Sequence, residues 1–155
     1  IWLGEFTALT EAGFSNGCSC RLHGASSIVP DGFNLALHVG DEAELVNANR
    51  RQFAAALGVD AARFTTCAQV HGSKVVCVTE GLIGSGAVDF ADTIADTDAL
   101  ITDLPNVPLL LFYADCVPVL LADTETGAVG LAHAGWRGLL AGVLEATVAG
   151  MARAS

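Results

Sequence analysis

Three short polar strings interrupt an otherwise apolar sequence: AQVHGSKVV (68–76), YADCVP (113–118) and LAHAGWRG (131–138). Each sets a side chain of ligand type at the end of a strand-like run: His71, Cys116 and His133. Singly, each has an ordinary structural reading. A buried cysteine is a small hydrophobe, and a lone histidine is a hydrogen-bonded core residue. Together, two imidazoles and one thiolate suit zinc, and three protein ligands leave a fourth position for water or substrate. The separations of 45 and 17 residues match no local metal pattern, so only the fold can unite the three. Two other chemistries use the same residues. Cys116 can act as a nucleophile with His133 as its base. Two histidines and a cysteine also describe a blue-copper centre, for which the sole methionine, Met151, is a poor axial ligand in a terminal helical pattern. A multicopper centre would take many more imidazoles than the four histidines present.

Further polar residues complete the candidate site. Asp115, next to Cys116, can orient a ligand or serve as a general base, and a structural hydrogen bond is an equal reading. Arg137 follows His133 at an expected helix start, where free N–H groups and a guanidinium together suit an anion. Lys74 and Arg21 are weaker anion-binding candidates of the same kind, and ordinary surface charge explains either. Asn34, in NLALHVGD, is a candidate substrate contact whose plainer role is a turn. Trp136 reads as a core or rim aromatic.

The chain that must position these residues has 155 of them, enough for one domain with a substantial core. It is 52% hydrophobic and 15% charged, with a mean hydropathy of +0.52, too apolar for disorder. Its longest apolar run, Val107 to Ala114, falls well short of the ~18 residues a membrane span requires. A net charge of −10 with only seven Lys and Arg leaves no basic stripe for nucleic acid, so neither nucleic acid nor membrane is an expected partner. An anionic substrate would need a few cations focused locally. Five cysteines at irregular spacing, without a CxxC pair, argue against a disulfide framework or zinc ribbon and for a reducing, cytoplasmic setting. No signal peptide is recognisable. The chain opens on Ile1 and closes inside a helical pattern, so the expectation is a fragment lacking its C-terminal part. Such a fragment would expose an apolar face, to be covered by the missing segment or by self-association.

Residues 1–10 alternate weakly and read as a strand, and 13–27 as a loop or hairpin. Asp41 is a plausible N-cap, with Glu44 as capping-box partner, for a helix over 42–57 that Gly58 ends. Strands are expected at 64–70, 74–79, 98–102, 108–114, 117–121 and 128–133. The last two form a hairpin through DTETG (123–127), and 81–96 is an expected surface loop. A final helix begins near Gly135 and presents Leu139, Leu140, Val143, Leu144, Val148 and Met151.

The strings NLALHVGD, QVHGSKVV, DTDALIT, YADCVPVLLAD and LAHAGWRGLLAGVL occur in that order. From about residue 13 onward the chain resembles the bacterial laccase-domain (YfiH-type) family, described both as multicopper polyphenol oxidases and as purine nucleoside phosphorylases. The resemblance implies a metal, zinc or copper, on His71, Cys116 and His133. It implies phosphorolysis of adenosine, inosine and methylthioadenosine, and deamination of adenosine. It also implies a single α/β domain with a four-layer αββα arrangement and mixed sheets, shared with cysteine-dependent deamidating toxins. A role in editing peptidoglycan precursors has been attached to some members. Where the family carries Thr-Thr-Arg-x-Gly-Gly, this chain has Ser19, Cys20, Arg21 and His23, so the arginine aligns and His23 does not. The family's C-terminal strands and a Gly-Pro-rich motif have no counterpart here.

Overall fold

The computed structural model describes residues 3–154. The fold is mixed α/β, with parallel and antiparallel strand pairs and no barrel. Two compact units form, one from the chain up to Ala62 with Val88–Phe90, the other from Arg63–Ala87 and the chain from Ala91 onward.

In the first unit, β1 (Leu3–Gly4) pairs antiparallel with β2 (Cys18–Ser19), and β3 (Leu22–Ser26) follows. Residues 1 and 2 of the expected N-terminal strand lie outside the described residues; among those described it covers Leu3–Gly4, and Thr7–Glu11 forms a helical turn, α1. Weak alternation over a few residues cannot outweigh the local bonds that wind this segment, among them Thr10 N–H to the Phe6 carbonyl. Helix α2 (Ala43–Leu57) buries Val46, Asn49, Arg50, Phe53 and Ala54, the repeat of one helical face. Its polar members anchor β3 and the loop that follows it. Asn49 accepts from Ala25 N–H and donates to the Asn34 carbonyl, while Arg50 Nε donates to the Leu35 carbonyl at 2.8 Å. Gly58 ends the helix in the left-handed region at φ 70°, as expected.

The expected cap at Asp41 is displaced by one residue. Glu42 takes the N-cap position without a side-chain bond, and Asp41 ties the loop together instead. Its carboxylate accepts from Ser26 Oγ, Ser27 N and Oγ, Asn34 Nδ2 and Glu42 N. Desolvation raises this carboxyl, but the hydrogen bonds from Ser26, Asn34 and Ser27 outweigh it and hold the group well below the usual carboxylate range. Asp41→Asn is expected to lose about 1 kcal/mol at neutral pH, a small figure for charged hydrogen bonds because solvent screens the site. The folded value lies below the unfolded one. The contribution is therefore complete above the unfolded value and fades as pH falls through the folded value. Melting curves of both proteins at about pH 7 and about pH 2 check this: the difference between them should shrink in acid.

In the second unit, β4 (Val75–Cys77), β5 (Ala99–Thr102), β6 (Val117–Ala122) and β7 (Val129–Ala134) form one sheet in the order β4-β5-β7-β6. β4 and β5 run parallel, and the other pairs are antiparallel. All four residues of β5 are buried: three are apolar, and Thr102 donates its hydroxyl to the Val78 carbonyl. The expected hairpin joins β6 and β7, with the Asp123 side chain accepting from Glu125 and Thr126 in the turn.

Segments 64–70 and 108–114 make isolated bridges rather than the expected strands, Thr65 with Leu109 and Cys67 with Ile94. Pro108 has no N–H for a continuous ladder. Further along, the Gln69 side-chain amide both donates to and accepts from the Phe112 backbone, doing what a strand neighbour would do. Part of the expected surface loop is also packed. Leu82, Ile83 and Ile94 lie against a core of Cys67, Val78, Leu100, Val107 and Leu111.

The expected final helix is broken. Gly142, at φ 83°, separates the five-residue α3 (Trp136–Leu140) from α4 (Val143–Ala154). Val143, Thr147 and Gly150 form the buried face of α4. Gly150 lets the helix approach β5, because a Cβ there would lie 2.9 Å from Ile101 Cδ1. Trp136, Leu139, Leu140 and Val148 are exposed instead. Among the described residues, no helix is long and apolar enough to cross a membrane.

Candidate metal centre

Strand register brings the distant ligand-type residues to one end of the sheet. In the β6–β7 hairpin, Val117 pairs with Ala134 and Pro118 with His133. One further step places Cys116 across from Gly135, and a Cβ on Gly135 would indeed sit 3.2 Å from Cys116 Sγ. In the β5–β7 pair, Ala99 faces Ala132, so the next step sets Asp98 opposite His133, whose N–H donates to the Asp98 carbonyl at 2.7 Å. His71 lies in the turn before β4, with its backbone in the left-handed region at φ 62°.

His71, Cys116 and His133 each offer one donor atom, and these atoms lie within 4.8 Å of one another. The two imidazole rings are 4.7 Å apart and nearly perpendicular at 74°. His133 is buried, Cys116 half-buried and His71 exposed, so the cluster is walled on one side and open on the other. Tetrahedral zinc with nitrogen and sulfur ligands needs donor separations of about 3.5 Å. Small side-chain movements close that gap, so the three residues fit a zinc ion. Gly135 is part of the fit: a Cβ there would come 2.9 Å from His71 Cδ2. Gly135→Ala should push the His71 ring aside and lower zinc affinity by about 10-fold or more, the range of residues that support metal ligands. Isothermal titration with zinc and a melting curve check this. Affinity should fall while the metal-free fold keeps its stability, because an exposed ring can move.

The carboxylate on the buried histidine is Asp98, which the sequence reading did not single out. Asp98 is fully buried, and its Oδ1 lies 2.8 Å from His133 Nδ1. It also accepts N–H bonds from Val70, His71 and Gly72 at 3.2, 2.9 and 2.7 Å. The available signal is an acidic residue directly before the run Ala99, Leu100, Ile101.

The remaining candidates are placed as follows. Asp115 is exposed beside Cys116. Arg137 is exposed on α3, its guanidinium 5.1 Å from the Trp136 ring centroid, and that ring is 67% exposed rather than core. Because α3 is only five residues long, the anion-binding argument rests on the Arg137 side chain and not on a helix terminus. Lys74 Nζ donates to the Ala95 carbonyl at 3.1 Å. Arg21 and Asn34 belong to the first unit. Arg21 is exposed, whereas Asn34 donates to the Ala36 carbonyl and to Asp41 and accepts from Ala36 N–H.

Residues 15–155 match the family described as multi-copper polyphenol oxidoreductase laccase. The chain belongs to this family. It is 44% identical over 122 residues to purine nucleoside phosphorylase YlmD of Geobacillus stearothermophilus, covering 78% of this chain and 44% of that protein. A purine nucleoside phosphorylase of Staphylococcus aureus is 33% identical over 133 residues, covering 86% of this chain and 51% of that protein. The crystal structure of hypothetical protein YfiH from Bacillus licheniformis superposes with a TM-score of 0.84 at 36% identity, over 88% of this chain and 51% of that one. The laccase-family chain described here thus spans about half the length of the curated relatives it matches.

Proposed function

We propose that this laccase-family protein is a purine nucleoside phosphorylase, with zinc held by His71, Cys116 and His133. The observation that carries the reading is the convergence of those three donors at one sheet end, in a chain similar to proteins named purine nucleoside phosphorylase. Adenosine, inosine and methylthioadenosine are the proposed substrates with inorganic phosphate, and adenosine deamination is the proposed second activity. In phosphorolysis a phosphate oxygen bonds to C1′ of the ribose while the bond from C1′ to the purine breaks. The proton lost by phosphate ends on the purine. Bound zinc supplies Lewis-acid and electrostatic stabilisation to phosphate or water. Arg137 holds the anion, which in a chain of net charge −10 depends on local cations rather than on the overall field. Asp115, exposed beside Cys116, relays the proton. Lys74 is a further proposed substrate contact. Five cysteines, an odd number at irregular spacing, support the proposal of a reducing cytoplasm.

A copper-dependent phenol oxidase is the second reading, favoured by the description of the family. Two histidines and a cysteine can hold copper, but the four histidines of the chain are too few for a multicopper cluster. The test is release of adenine from adenosine by the full-length protein, with and without phosphate. Release that ignores phosphate, or no release alongside phenol oxidation with added copper, refutes the phosphorylase reading.

A further inference from the structure

We infer that Asp98 is the positioning residue of the metal centre, fixing the tautomer of His133 and the turn that presents His71. This rests on the reading of His71, Cys116 and His133 as metal donors. A carboxylate offers about four acceptor sites on two oxygens. Those of Asp98 face four donors: Oδ1 faces His133 Nδ1 and the His71 amide, and Oδ2 faces the Gly72 and Val70 amides. Three of the four are backbone N–H groups, which can only donate. The carboxylate is thereby the acceptor throughout, and the hydrogen between it and the ring sits on His133 Nδ1. The other ring nitrogen, Nε2, is then bare, the form in which imidazole takes a metal.

The same carboxylate shapes the second ligand. Three consecutive amides, 70–72, converge on it, and such convergence on an anion requires a tight, partly left-handed turn. His71 accordingly adopts φ 62°, which non-glycine residues seldom do. Gly72 meets the carboxylate through its amide, whose N–H donates to Asp98 Oδ2 at 2.7 Å. One buried side chain therefore holds two ligands that lie 62 residues apart in sequence.

Asp98→Asn tests this. An amide keeps the shape but has one oxygen for four donors, so its NH₂ must face either the turn or the ring. Facing the ring, it moves the hydrogen to Nε2. Zinc affinity, measured by chelator competition on the full-length protein, should fall about 10- to 100-fold. In metal-free protein, ¹⁵N spectra of the His133 ring should change from the Nδ1–H to the Nε2–H form. Unchanged affinity with an unchanged ring signature would overturn the inference. Should the variant not fold, metal-free wild type decides alone. Its His133 must carry Nδ1–H, and its Val70, His71 and Gly72 amides must exchange slowly; an Nε2–H ring or fast exchange overturns the assignment. Wild type that binds no zinc but shows the Nδ1–H ring would sink the metal reading, and with it the role at a metal centre, while leaving the tautomer assignment intact.

Discussion

Adenosine incubated with the full-length protein is expected to yield adenine only when inorganic phosphate is present, with release stopping on chelation and returning with zinc. The reasoning starts from charge. A chain carrying −10 repels phosphate on average, so the anion must be held by groups concentrated at the site. Arg137 offers a planar guanidinium with donors suited to phosphate oxygens. Arg137→Ala should therefore slow phosphorolysis by about 100-fold, the scale of removing one preorganised contact to developing charge. Steady-state rates with and without phosphate separate this from folding damage, because Arg137 is exposed and its loss costs little stability. Equal rates for the variant and wild type would remove Arg137 from the account.

His71→Ala, Cys116→Ser and His133→Ala should each weaken zinc binding by more than about 100-fold, exceeding the loss of a residue that merely supports a ligand. Their effects on the metal-free fold should differ. His71 is exposed, so its removal leaves stability unchanged. His133 is 3% exposed and hydrogen-bonded to a fully buried carboxylate. Its removal strips one donor from Asp98 and should cost about 1–3 kcal/mol. Metal content and melting curves of the three variants give both readings. Alkylation adds a control for the thiols. Burial, aided by the Asp98 charge, pushes the Cys67 thiol up to about 12, so it should stay unmodified while exposed Cys20 and Cys77 react.

The elements legible in the sequence were those defined by local pattern. Helix α2 shows its buried face at regular spacing and its stop at Gly58, and the β6–β7 hairpin shows two apolar runs around DTETG. His71, Cys116 and His133 stand out because three side chains of ligand type each follow or end a strand-like run, and the structure brings them together. Local pattern failed where long-range bonds decide. The bonds of Asp98 reach 27 residues back to His71 and 35 forward to His133, and no window of sequence contains them. The bridges at 64–70 and 108–114 fail as strands because Pro108 and the Gln69 amide replace ladder bonds. Gly142 was hidden inside an apolar helical repeat, yet its left-handed backbone divides that helix and leaves Leu139 and Leu140 exposed. Asp41 reads as a helix cap in the sequence, but its partners Ser26 and Asn34 come from the end of β3 and the loop that follows it.

The central claim is that His71, Cys116 and His133 hold one zinc ion. Zinc-edge X-ray absorption of the full-length protein tests it most directly, because nitrogen and sulfur ligands differ in distance. The account predicts two nitrogen ligands at about 2.0–2.1 Å, one sulfur at about 2.3 Å and one further light atom from water or substrate. The sulfur shell should disappear in Cys116→Ser. A zinc site without sulfur, with more than one sulfur, or unchanged in Cys116→Ser would contradict the account.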